Sequence, residues 1–102
     1  MATLEELTER IRGATAASGG LSRTVKLDLK GEGFIHVAGA EVTNEDLPAD
    51  LTVRISRADL IALGKRELDP MRAMMTGRMK LSDMGLAMKL QPEIQALFSK
   101  AV

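Results

Sequence analysis

The hydrophobic period of this chain changes near residue 23, and that change constrains the fold more than any other feature. Upstream, Leu4, Leu7, Ile11 and Ala14 recur on one helical face. They follow Thr3-Leu4-Glu5-Glu6, a capping-box pattern with Thr3 as N-cap and Glu6 three residues on. Gly19-Gly20 ends the run, which predicts an amphipathic helix over about residues 4–17. Downstream, Val25, Leu27 and Leu29 alternate with Lys26, Asp28 and Lys30, the period of a strand with one buried face. Gly31-Glu32-Gly33 then supplies a turn, and Phe34-Ile35-His36-Val37-Ala38 reads as the returning strand of a hairpin.

The two periods keep alternating to the C-terminus. Residues 39–50 are polar and acidic, contain a proline, and read as a connection. Leu51, Val53 and Ile55 mark a third strand, and Ser56 to Asp59 repeats the capping signal ahead of Leu60, Ile61 and Leu63. Gly64 or the Lys65-Arg66 pair is expected to close that helix. Asp69-Pro70 opens a short helix carrying Met71, Met74 and Met75, which stops at Gly77. Met79 and Leu81 point inward from a fourth strand, with Arg78 and Lys80 outward. Ser82-Asp83 caps a last helix holding Met84, Ala87, Met88 and Gln91, which Pro92 is expected to interrupt or kink. This order predicts a single α+β domain over residues 1–102, with helices on one face of a largely antiparallel sheet.

Composition narrows the function. Hydrophobic residues make up 45% of the 102 positions, too many for a disordered chain, and 14 basic side chains balance 14 acidic ones. No apolar run approaches the ~18 residues of a membrane span, and the N-terminus lacks the pattern of a secretory signal. A cytoplasmic protein is expected. With no cysteine, thiolate metal sites and cysteine nucleophiles are excluded. Charge is polarised: residues 1–51 carry five basic and nine acidic side chains, and residues 52–102 the reverse. No basic run and almost no aromatic residue accompany it, so nucleic acid is not an expected partner.

Catalytic chemistry finds no footing. His36 is the single histidine, which rules out histidine-pair zinc sites, and alternation sets it on the strand face opposite Ile35 and Val37. A polar or half-exposed histidine without a role is expected there. No serine lies in a Gly-x-Ser-x-Gly elbow, and Gly31-Glu32-Gly33 is too short for a dinucleotide fingerprint. Neither an enzyme nor a cofactor is expected.

The methionines are the unusual feature. Apart from Met1, all lie between Met71 and Met88, in a chain with no Trp or Tyr and only two phenylalanines, Phe34 and Phe98. Methionine is flexible and polarisable, suited to walls that accept variable apolar partners and equally to filling core gaps. The side chains of these elements converge on one space if both helices lie over the sheet. Either they fill it or they line it.

Four segments of the second half resemble the sterol carrier protein-2 family. They are Asp50-Leu51-Thr52-Val53-Arg54-Ile55-Ser56, then Asp59-Leu60-Ile61-Ala62-Leu63, then Leu68-Asp69-Pro70 with Ala73 to Leu81, and Met84-Gly85-Leu86-Ala87-Met88-Lys89-Leu90-Gln91. The likeness covers about residues 20–91 in element order and is most specific from Pro70 to Gln91. It implies a five-stranded sheet with helices on one side and an apolar tunnel between them that takes acyl chains or sterols, with no catalysis by the domain. Two departures stand out. The chain ends Ser99-Lys100-Ala101-Val102 instead of a peroxisomal tripeptide, and Met74 stands where the family has an aromatic residue. A bacterial-type stand-alone carrier of a fatty acid, acyl ester or isoprenoid lipid is the expectation, ahead of sterol.

The expected lipid-binding residues follow by element. Leu60 and Leu63 come from the second helix and Met71, Met74 and Met75 from the third. Met79 and Leu81 come from the fourth strand, and Met84, Ala87, Met88 and Gln91 from the last helix. Gln91 either meets a headgroup or caps the helix end before Pro92. Arg72, Arg78 and Lys80 either meet anionic headgroups at the mouth or serve solubility. Expected partners are a lipid or fatty acyl ligand, a membrane in transient contact, and a lipid-metabolising enzyme. The rival reading is a protein-interaction or accessory module whose methionines are packed solid.

Overall fold

The computed structural model describes residues 3–101. Helix α1 spans Leu4–Ser18, and its capping box forms as the sequence predicts. Glu6 N donates to Thr3 Oγ1 at 3.2 Å, and Thr3 N to Glu6 Oε1 at 3.4 Å. Leu7, Ile11 and Ala14 are buried along one stripe, and the helix ends where Gly19 turns left-handed.

Five strands follow the alternating runs: β1 (Val25–Asp28), β2 (Phe34–Ala38), β3 (Glu41–Thr43), β4 (Leu51–Ile55) and β5 (Met79–Leu81). Their order across the sheet is β3-β2-β1-β4-β5. The β1–β2, β2–β3 and β4–β5 pairs are antiparallel, and β1–β4 is parallel. Register sets one apolar row across the sheet, since Leu27 faces Ile35 on one side and Val53 on the other, and Val53 faces Leu81. Period two then puts Val25, Val37, Leu51, Ile55 and Met79 on the same buried face.

Helices α2 (Arg57–Gly64), α3 (Pro70–Met75) and α4 (Met84–Ala101) complete the chain. The long α4 packs against α1 and α2, α1 also reaches β3, and α3 meets β5. The core is one cluster between these helices and the sheet. At the turn before β1 the backbone passes so close to the β2–β3 turn that a Cβ on Gly20 would lie 2.4 Å from the Gly39 carbonyl. Only glycine fits there.

The structure departs from the sequence reading at three places. β3 lies inside residues 39–50, which read as a connection; a three-residue strand with Val42 as its one buried side chain carries too little alternation to register. It is the fifth strand that the resemblance implied. The rest of that stretch, residues 44–50, crosses the outer face of the sheet. His36 Nε2 lies 3.0 Å from Pro48 O beneath it, and Lys26 Nζ donates to Asp46 Oδ1 at 2.7 Å. His36 is therefore buried, at 6% exposure, where a half-exposed ring was expected. Pro92 does not interrupt the last helix, which runs on to Ala101. Leu97, Phe98 and Ala101 are buried beyond the proline, and their burial offsets the lost backbone hydrogen bond.

Candidate functional site

A cavity of about 490 Å³ lies among α2, α3, α4 and the β4–β5 side of the sheet. Local chemistry sets each wall. Asp69 caps α3 by accepting from Met71 N at 3.1 Å, and Pro70 at the first helical position presets the backbone. One short helix then turns Met71 and Met74, three residues apart, toward the cavity. On β5, alternation sends Met79 and Leu81 in and Lys80 out. Asp83 opens α4 by accepting from Leu86 N at 3.1 Å. Steps of three and four from Met84 through Ala87, Met88 and Gln91 follow one stripe along that helix.

Nine of the eleven expected residues line this space: Leu63 from α2, Met71 and Met74 from α3, Met79 and Leu81 from β5, and the four from α4. Two do not. Leu60 is 1% exposed within the core, and Met75 turns outward at 80% exposure because it sits one residue past Met74. The stripe on α4 continues to Ile94, Gln95 and Phe98, which also line the cavity. Their i+3 and i+4 spacing was visible, but expecting Pro92 to interrupt or kink the helix cut the stripe short. Asp69 and Pro70, which read only as helix-start signals, stand on the wall as well, and so does Val53.

The walls are apolar and one side is open. Met71, Met84 and Met88 line the cavity yet are 60%, 50% and 68% exposed, so they form its rim. Met79 and Ala87 are buried and form the floor with Val53, Leu63 and Phe98. Gln91 is exposed on the wall, and since α4 continues past it, there is no helix end for it to cap. Arg72, Arg78 and Lys80 are exposed and none lines the cavity; Arg78 Nε lies 3.9 Å from Asp59 Oδ2 instead. Among the described residues no cluster of three or more histidine, aspartate or glutamate side chains is placed to hold a metal. None of the helices described is long and apolar enough to cross a membrane. A concave apolar space with few polar groups suits an apolar body held by burial, and its volume falls within the ~300–1,000 Å³ of small-molecule pockets.

Known proteins share this fold. The model of the SCP-2 sterol transfer family matches residues 3–95. Sterol carrier protein 2 of Oryctolagus cuniculus is 34% identical over 93 residues, which cover 85% of this chain and 16% of that protein. The chain thus spans about a sixth of the length of that relative. Among solved structures, the crystal structure of sterol carrier protein 2 like 2 from Aedes aegypti has a TM-score of 0.67 at 25% identity, covering 85% of this chain and 92% of that one. The fold recurs in Aedes aegypti sterol carrier protein-2 in complex with palmitate, with a TM-score of 0.67 at 17% identity over 90% of this chain and 94% of that one. The family match runs from α1 into α4 and the five-stranded architecture agrees with it: this chain belongs to the SCP-2 sterol transfer family.

Proposed function

We propose that the protein binds the apolar chain of a single lipid in this cavity and carries it without altering it chemically. One observation bears most of the weight: three methionines stand half or more exposed around an apolar cavity that five helices and strands build. Large apolar side chains clustered at a surface mark a contact with something apolar. Family membership and the palmitate complex of the Aedes aegypti protein support a lipid as that partner.

Energetics agree with a reversible carrier. Burying about ten methylenes returns roughly 8 kcal/mol at ~0.8 each. Ordering the ligand and the rim removes several kcal/mol, so micromolar binding needs a longer chain or polar help. Methionine walls adapt to chains of different shape, which favours breadth over strict selection. Exchange then takes place in brief contact with a membrane or with an enzyme that uses the lipid.

Native mass spectrometry of freshly purified protein tests this reading directly. An acyl or isoprenoid adduct, or stoichiometric uptake of added lipid, is the expected result. Met84→Glu and Met88→Glu change exposed rim residues and leave the core intact, so both should abolish uptake, while Lys80→Gln should barely change it. A clean mass near 11.0 kDa with no uptake would overturn the proposal and leave the methionine rim as a protein-binding surface.

A further inference from the structure

With no cysteine in the chain, the thioether sulfurs are the side-chain atoms that a two-electron oxidant such as hydrogen peroxide attacks most readily. Six of them lie between Met71 and Met88, and the fold sorts them by access. Met71, Met84 and Met88 stand on the cavity rim, each half or more exposed. Met75 is more exposed still but is off the wall. Met74 is half-buried on the wall, and Met79 is buried on the floor. An oxidant dissolved in water thus meets the rim before the floor, and Met75 is an internal reference, fully accessible yet outside the cavity.

In the oxidation the sulfur lone pair bonds to one peroxide oxygen as the O–O bond breaks. The departing hydroxide takes that oxygen's proton and leaves as water; sulfur gives up two electrons and the peroxide gains them. A thiol-dependent reductase reverses the step, two thiols becoming a disulfide while the oxygen leaves as water. To cover a bound chain, a rim side chain must shed its own water. A thioether does so at little cost, but a sulfoxide carries a strongly accepting oxygen and stays turned to water. Part of the ligand is then left uncovered, and two methylenes uncovered weaken binding by roughly tenfold. Resting on the lipid-binding reading above, we propose that Met71, Met84 and Met88 are a reversible oxidation site, whose conversion to sulfoxides makes the cavity release its lipid.

The test treats the protein with millimolar hydrogen peroxide, removes the oxidant, and measures displacement of the neutral probe 1-N-phenylnaphthylamine by 1-dodecanol. Peptide mapping by mass spectrometry should find Met71, Met75, Met84 and Met88 converted at least tenfold faster than Met79. Dodecanol affinity should fall tenfold or more, and methionine sulfoxide reductases of both epimer specificities with dithiothreitol should restore it. Met75→Leu removes the off-wall sulfur and should lose as much affinity to peroxide as wild type. The triple variant Met71→Leu, Met84→Leu, Met88→Leu should lose less than twofold from its own starting affinity. A rim oxidised without loss of affinity, a rim no more reactive than Met79, or an equal loss in the triple variant overturns the inference while lipid binding stands. Failure of untreated wild-type protein to take up the probe or dodecanol overturns the lipid-binding reading, and this inference with it.

Discussion

Asp50 ties the starts of two parallel strands with one carboxylate. Its Oδ2 accepts from Thr24 N at 3.2 Å and from Arg23 Nε at 3.3 Å, just where Leu51 N donates to Thr24 O. The backbone bond from Thr24, with Arg23 second, holds the Asp50 carboxyl below its ordinary value. A carboxyl depressed in the folded state contributes stability that is complete above its unfolded value of about 3.9 and fades as pH falls through the folded value. Asp50→Asn should therefore lower the urea midpoint at pH 7, and the gap from wild type should close as pH drops below about 4. A gap that stays constant into that range would mean the carboxylate charge is irrelevant. This contact was not legible in the sequence, because it joins residues 26 positions apart. The caps at Thr3, Ser56 and Asp69 were, because each closes within three residues.

At the scale of elements, α4 divides its work at Pro92. Met84 to Gln91 supply much of the cavity wall, and Leu97, Phe98 and Ala101 beyond the proline anchor the helix in the core. An interior proline costs a helix about 3 kcal/mol, less the ~0.4–1 kcal/mol by which it restrains the unfolded chain. Since Pro92 is exposed, replacing it removes little packing. Pro92→Ala should stabilise the protein by about 1–2 kcal/mol in urea unfolding. Destabilisation would mean the proline shapes α4 in a way the fold needs. Local rules expect Pro92 to interrupt or kink the helix, and they carry no information on what α1 and α2 supply to hold it together across the proline.

The cavity belongs to the whole molecule, since its walls come from residues 53 to 98 and close only when α3 and α4 lie over the β4–β5 side of the sheet. A ligand there binds only the folded state and must raise its stability. At a hundred times Kd the gain is about 2.7 kcal/mol, and each kcal/mol moves the midpoint of a domain this size by ~4–8 °C. Saturating 1-dodecanol should thus raise Tm by roughly 10 °C or more in calorimetry, and Met88→Glu should remove most of the rise. An equal rise in the variant would place the ligand elsewhere. Taken alone, the sequence determined the order and type of nearly every element, along with the concentration of methionines on two helices and a strand. Those signals are local: a period, a cap or a turn is complete within a few residues. Only the tertiary structure decided that Met71, Met84 and Met88 form an open rim while Met79 is floor, that Met75 and Leu60 leave the wall, and that His36 is covered. Burial depends on which distant surface arrives opposite a side chain, and neither the residue nor its neighbours in sequence specify that surface.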